Sequence, residues 1–203
     1  LDVLVGVFGW HATGELLWLE NRTKDWNDPD FYRHPIDSRH GVIHTPIIDL
    51  NKDGKPDFLA QLSQEYESVV AFTNTGGQFQ ASIIDAAPHP AWGSNGMQLF
   101  DLDGDGDRDA LLCNGDSLDD MVLRPSHGLR WLENKGSQWV PHDISAMYAV
   151  HGAKAADLDG DGDLDLVASA FLPQYNPKDE LAGSALPSLM WFEQTSTGQF
   201  KPW

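Results

Sequence analysis

The nine residues Asp101-Leu102-Asp103-Gly104-Asp105-Gly106-Asp107-Arg108-Asp109 bring five carboxylates together, and Asp157-Leu158-Asp159-Gly160-Asp161-Gly162-Asp163-Leu164-Asp165 repeats the arrangement. A variant, Asp49-Leu50-Asn51-Lys52-Asp53-Gly54-Lys55-Pro56-Asp57, stands one period earlier. Carboxylates this crowded repel one another and cannot enter an apolar core unpaired, so these loops read as cages for a cation. Calcium takes about six to eight hard oxygens, and a short loop with carboxylates at alternate positions turns them inward while glycine permits the bend. In the second loop this predicts Asp101, Asp103, Asp105 and Asp109 as side-chain ligands and Asp107 as a carbonyl ligand. The third loop follows with Asp157, Asp159, Asp161 and Asp165, and Asp163 through its carbonyl. In the first, Asp49, Asn51, Asp53 and Asp57 keep the side-chain places and Lys55 takes the carbonyl place. With less negative charge, that loop is expected to bind most weakly.

The loops are not EF-hands. An EF-hand needs a bidentate Glu at its twelfth position, inside a helix. Here the twelfth positions are Ala60, Leu112 and Ala168, each in an apolar stretch rich in strand-forming residues.

The loops recur at intervals of 52 and 56 residues, a period that indicates a repeat architecture. Each is followed by a short apolar strand: Phe58-Leu59-Ala60, Ala110-Leu111-Leu112 and Leu166-Val167-Ala168. The chain opens on the same element, Asp2-Val3-Leu4-Val5, so Asp2 reads as the last residue of a fourth loop. An aromatic strand comes next, at Leu17 to Asn21, Val70 to Asn74, Arg130 to Asn134 and Met190 to Gln194, and its alternation predicts strand over helix. A glycine-bearing turn and an outer strand complete each unit, and a fourth strand, such as Gly152 to Leu158, runs into each acidic loop.

Four short antiparallel strands per repeat predict an all-β fold of β-propeller blades. The expected organisation is one partial propeller domain over residues 1–203, about three and a half blades long. An incomplete blade at 2–37 lacks its inner strand, and whole blades follow at 38–85, 86–145 and 146–203. A complete ring needs more strands, so a larger parent chain or assembly stays open, as does processing of a chain that starts at Leu1.

Composition narrows the function. With 41% hydrophobic residues and eight Trp, nine Phe and four Tyr, the chain is far too aromatic for a disordered acidic tail. A formal charge of −18 and a pI near 4.5 exclude nucleic acid and anionic membrane as expected partners. No apolar run is long enough to span a bilayer. Cys113 is the only cysteine, which excludes a disulfide framework and is expected to pack as a small hydrophobe.

The acidic loops, the apolar strand after each and the Trp-Leu-Glu-Asn element together resemble the FG-GAP or VCBS repeat family, the calcium-binding propeller blades also found in integrin α-chains. The resemblance implies calcium in about three loops, with a fourth site ending at Asp2. It also implies that each loop joins the inner strand of a blade to the second, on the face opposite the usual ligand-binding face. Many secreted proteins share such blades, so the expected setting is extracellular or periplasmic and the expected role a non-catalytic binding or scaffolding module with a protein or carbohydrate ligand.

The connection from the second to the third strand varies most between blades. From the last loop Asp to the centre of the aromatic strand takes 16, 14, 22 and 26 residues in the four blades. The extra length forms two insertions, Asn114 to Gly128 and Pro173 to Pro187. Because neighbouring strands are antiparallel, these emerge at the end of the blade away from the acidic loops. Residues just before each inner strand, His40, His44, His89, Trp92, Asn95, Tyr148 and His151, are expected on that same face, where histidines and aromatics suit a transition metal or a sugar ring as well as ordinary strand starts. No nucleophile elbow, zinc-protease helix or phosphate loop supports an enzyme. The alternative is a carbohydrate-active lyase or dehydratase with a metal in its central channel, since the blades also look similar to those of fungal sugar dehydratases and some polysaccharide lyases.

Overall fold

The structure, a computed structural model, describes residues 1–10, 13–118, 120–172 and 185–203. Among them are strands and no helix, and the chain divides into two compact units, Leu1–Ala86 and Ala87–Trp203.

In the first unit, β1 (Val3–Val7), β2 (Glu15–Asn21) and β3 (Phe31–Asp37) form a three-stranded antiparallel sheet in chain order. The second sheet is built from β4 (Val42–His44), β5 (Ile47–Ile48), β6 (Asp57–Leu62), β7 (Ser68–Asn74) and β8 (Phe79–Ala86), with both β4 and β5 paired to β6. β4 and β5 are one inner strand broken at Thr45-Pro46. Proline has no N–H to give the ladder, and the Pro46 carbonyl accepts the Leu59 amide at 3.1 Å across the break.

The second unit holds two four-stranded sheets. One orders β9 (Ser94–Phe100), β10 (Asp109–Asn114), β11 (Gly128–Asn134) and β12 (Trp139–Ala146); the other orders β13 (Val150–Ala156), β14 (Asp165–Ala170), β15 (Leu189–Ser196) and β16 (Gln199–Pro202). All pairings are antiparallel between chain neighbours. Each sheet is therefore a propeller-type blade, and the expected all-β, partial-propeller class holds: three whole blades and a first with no inner strand.

Burial follows position in the blade. The second strands β6 and β10 are buried at every residue, which explains their continuous apolar runs, whereas the outer strands β8 and β12 are half-buried or exposed at every residue. Phe58 stacks on Phe72 at 4.7 Å in the core of the first unit, with Leu16, Val42 and Leu62 around them. In the second unit Leu111, Trp131, Leu166 and Phe192 pack together with Cys113, whose thiol burial pushes up to about 12. Cys113 is thus an inert part of the core.

The aromatic strand makes a recurring cross-strand pair. Trp18 stacks on His34 at 4.3 Å, Trp131 on His142 at 4.6 Å and Trp191 on Trp203 at 6.1 Å. The Glu two residues after each Trp holds the partner ring: Glu20 Oε2 lies 2.9 Å from His34 Nε2, Glu133 Oε2 lies 2.9 Å from His142 Nε2, and Glu193 Oε2 accepts Trp203 Nε1 at 2.7 Å. In β7 the matching residue is Ala71, and that blade relies on its phenylalanines instead.

Two turn glycines share one backbone conformation and differ in surroundings. Gly136 and Gly198 both have φ of 71°, but a Cβ on Gly136 meets nothing while one on Gly198 stands 2.6 Å from the Trp131 ring. Gly136→Ala is expected to cost about 1–2 kcal/mol, the penalty of a left-handed L-residue. Gly198→Ala is expected to cost about 1–3 kcal/mol more, from the clash. Urea denaturation of the two variants checks the difference.

Candidate metal centre

The side chains at the first, third and fifth positions of each acidic loop are held by the loop's own amides. Asp101 Oδ1 accepts the Gly104 amide at 2.8 Å and its Oδ2 the Gly106 amide at 3.1 Å; Asp157 does the same with Gly160 at 2.7 Å and Gly162 at 3.2 Å. Further on, Asp103 Oδ1 accepts the Asp105 amide, Asp105 Oδ1 the Asp107 amide, Asp159 Oδ1 the Asp161 amide and Asp161 Oδ1 the Asp163 amide, at 2.8–3.2 Å. This winding needs left-handed backbone at the fourth and sixth positions, with φ of 75° and 92° at Gly104 and Gly106 and 86° and 101° at Gly160 and Gly162. In the first loop Lys52 carries the fourth position at φ 57°, a conformation that costs a non-glycine residue about 1–2 kcal/mol.

The last Asp of each loop does something different. Asp57 Oδ2 accepts the Leu50 amide at 2.9 Å and its Oδ1 the Asn74 amide at 2.7 Å. Asp109 holds Leu102 at 3.1 Å and Asn134 at 2.8 Å, and Asp165 holds Leu158 at 3.1 Å and Gln194 at 2.8 Å. Asp2 repeats half of this bond pair, accepting the Asn21 amide at 2.9 Å. The bond is reciprocated: the Asn21, Asn74, Asn134 and Gln194 side-chain amides donate to the carbonyls of Leu1, Pro56, Arg108 and Leu164, at 3.1–3.3 Å. Their side-chain oxygens in turn accept the turn amides of Thr23, Gly76, Gly136 and Gly198. So one carboxylate ties the loop to the end of the aromatic strand, and one carboxamide ties that strand to the next turn. The sequence signal was present, in the Asn or Gln that ends every aromatic strand.

Electrostatics separates the loops. Asp109 is fully buried, and burial pushes its carboxyl up to about 6 against the pull of the Asn134 and Leu102 amides. Burial and then neighbouring carboxylates also raise Asp103, Asp159 and Asp163. In the first loop the sign reverses: Asp53 is lowered by Lys55, whose ammonium lies 2.8 Å from Asp53 Oδ2. That loop carries its own cation.

The geometry of the second and third loops fits a calcium ion. Ligand oxygens of Asp101, Asp103 and Asp109 lie within 4.8 Å of one another, as do those of Asp157, Asp159 and Asp161. Two oxygens on one ion at about 2.3–2.6 Å can stand no farther apart than about 5 Å, so both trios can converge on one centre. Among the described residues, the first loop forms no such trio.

The residues expected at the other end of the blades fall into small groups. In the first unit His40 is buried, with Nε2 3.2 Å from Glu65 Oε1 and its ring edge-on to Tyr66, while His44 ends β4. In the second unit Asn95 Nδ2 lies 3.0 Å from both the Val150 carbonyl and His151 Nδ1, and His151 is 6.4 Å from Phe171. Trp92 has the Arg130 guanidinium 5.8 Å from its ring centre, His89 Nδ1 accepts the Ala91 amide at 3.0 Å, and Tyr148 is half-buried in the β12–β13 connection. The insertion after Asn114 is buried in part, with Leu118, Met121 and Val122 exposed. Ser117, Leu123 and His127 are buried, the His127 carbonyl accepts the Met147 amide at 3.0 Å and its Nδ1 the Ala149 amide at 3.2 Å. Burial pushes this imidazole down to about 4, so it is neutral at pH 7. Of the second insertion, Pro173 to Pro187, residues 173–184 lie outside the described residues.

The two kinds of loop Asp are separable by mutation. Asp109→Ala strands two buried amides and is expected to lower stability by about 2–4 kcal/mol. Asp103→Ala in chelator is expected to leave stability within about 0.5 kcal/mol or raise it, because it relieves repulsion. Chemical denaturation without divalent cations checks both.

Comparison with known proteins agrees with this construction. The FG-GAP-like repeat matches residues 49–112 and 113–168, more than half of the chain, each match beginning with a loop or running into one. No curated protein matches the chain significantly. Acidic loops, the strand that follows each and the matched repeats together show that the chain belongs to the FG-GAP-like repeat family.

Proposed function

We propose that the chain is a calcium-stabilised module that binds or scaffolds other molecules and performs no catalysis, working in an extracellular or periplasmic setting. The observation that carries this reading is the pair of convergent carboxylate trios, Asp101/Asp103/Asp109 and Asp157/Asp159/Asp161, on loops that share one backbone design. Asp105, Asp107, Asp163 and Asp165 complete the oxygen set in the same loops. A bound calcium would supply positive charge where these carboxylates repel. The protein's own contribution is the preformed loop: glycines wind it, its amides aim the carboxylates, and the final Asp anchors it to the aromatic strand. Asp49, Asn51, Asp53, Lys55 and Asp57 form the weakest of the three sites, since the Lys55 ammonium already occupies Asp53. Free calcium is high enough outside the cytoplasm to fill sites of modest affinity, which supports the setting.

Recognition is assigned to the opposite end of the blades. There the second unit combines Trp92 and Arg130, Asn95 and His151, and exposed Phe171. Aromatic faces beside hydrogen-bonding groups suit a protein or carbohydrate ligand. Among the described residues no helix is long and apolar enough to cross a membrane.

Calcium titration tests the reading. At about a hundredfold excess over Kd, one filled site stabilises the fold by about 2.7 kcal/mol, so Tm is expected to rise by about 5–10 °C and to fall back in chelator. Asp103→Asn combined with Asp159→Asn is expected to remove most of the rise, while Lys55→Gln is expected to add heat of binding in calorimetry. Unchanged Tm and no heat of binding would contradict it.

A further inference from the structure

The strand β11 ends in Glu133 and Asn134 and is followed by Lys135, so the clamp that fixes Asn134 on Asp109 also sets two charged side chains beside the second acidic loop. The Lys135 ammonium pairs with Glu133 Oε1 and lies 3.8 Å from Asp103 Oδ2. Glu133 is within hydrogen-bonding reach of Asp103, and its Oε2 stands 2.9 Å from His142 Nε2. The Asp103 side chain is only 7% exposed among these groups. One carboxylate of the second-loop trio therefore has a fixed cation and a further carboxylate at its back.

The third-loop blade has the same clamp with different charges around it. Glu193 takes the Glu133 place but accepts Trp203 Nε1 at 2.7 Å, and Lys201, paired with Glu193 across the strands, lies over the Trp203 ring at 3.6 Å. Thr195 takes the Lys135 place, and its hydroxyl donates to the Gln199 carbonyl at 3.3 Å. Asp159, the counterpart of Asp103, is exposed. In the blade of the first loop the two places are Thr73 and Thr75, both uncharged, and the ammonium comes from the loop itself as Lys55.

The two neighbours act on a bound cation with opposite signs. Lys135 repels it and competes for Asp103, whereas Glu133 attracts it and draws the ammonium away from Asp103. Neither has to touch the ion, because charges a few ångströms apart at a partly buried site are little screened. Arg108, exposed in the second loop where the third has Leu164, acts in the same direction as Lys135.

We propose that Lys135 and Glu133 set the calcium affinity of the second loop, the first lowering it and the second raising it, so that the third loop fills first, the second next and the first last. The proposal rests on the calcium reading of the loops and goes beyond it, since the second and third loops carry carboxylates of the same number and position.

The test titrates calcium chloride by calorimetry into the intact protein freed of divalent cations, with Asp159→Asn identifying the step that belongs to the third loop. Lys135→Gln is expected to tighten the second-loop step by about three- to tenfold and Glu133→Gln to weaken it by a similar factor, each leaving the third-loop step in place. Lys135 is 45% exposed in a turn, so its substitution spares the fold. Calcium uptake that Lys135→Gln leaves unchanged, or shifts equally at both steps, overturns the proposal alone. A wild-type protein that gives no heat and holds no calcium in equilibrium dialysis contradicts the calcium reading and this proposal with it.

Discussion

A single buried carboxylate at the end of each acidic loop holds two backbone amides at once, and the blades are organised around it. Asp57, Asp109 and Asp165 each join the second residue of their own loop to the last residue of the aromatic strand. The two amides are 17 to 29 residues from the carboxylate along the aromatic strand side and seven along the loop side, so the bond closes a local turn and a longer excursion together. Hydrogen bonds to an ionised group contribute about 1.5–3 kcal/mol each and offset part of the cost of burying the charge, although at Asp109 burial still outweighs them. The Asn or Gln that returns a bond to the loop then fixes the turn into the outer strand. Register across three strands follows from two side chains.

The other loop carboxylates are held by the loop's own amides. In the second and third loops Asp101, Asp103 and Asp109, and Asp157, Asp159 and Asp161, converge, and burial first and neighbouring carboxylates next raise Asp103 and Asp159. The first loop relieves the same repulsion internally through Lys55. One backbone design therefore serves two electrostatic solutions. The variation also spares the scaffold from depending on all three loops in the same way.

Much of this was legible before any coordinates. The loops recur at a fixed period, the strands after them are apolar, and the aromatic strands alternate, so blade architecture and the three-stranded first sheet followed from phase alone. The role of the last Asp was not legible, because five carboxylates in a row look alike until burial distinguishes Asp109 from Asp105. Lys55 was read as a backbone ligand, and only its side-chain position shows the ammonium on Asp53. The length of the insertion after Asn114 does not tell which of its residues are buried: His127 and Ser117 are, while Leu118 and Met121 are exposed. Length marks an insertion but says nothing about which way it folds.

Register and loop shape rest on the clamp. Native-state hydrogen exchange of the Asn74, Asn134 and Gln194 amides in calcium-free protein tests it most directly. These three amides should exchange only with global unfolding, as slowly as the core of β6 and β10, and should stay slow when calcium is removed. Exchange at the rate of the loop amides of Gly104 and Gly160 would contradict a carboxylate clamp and place the organising interaction elsewhere.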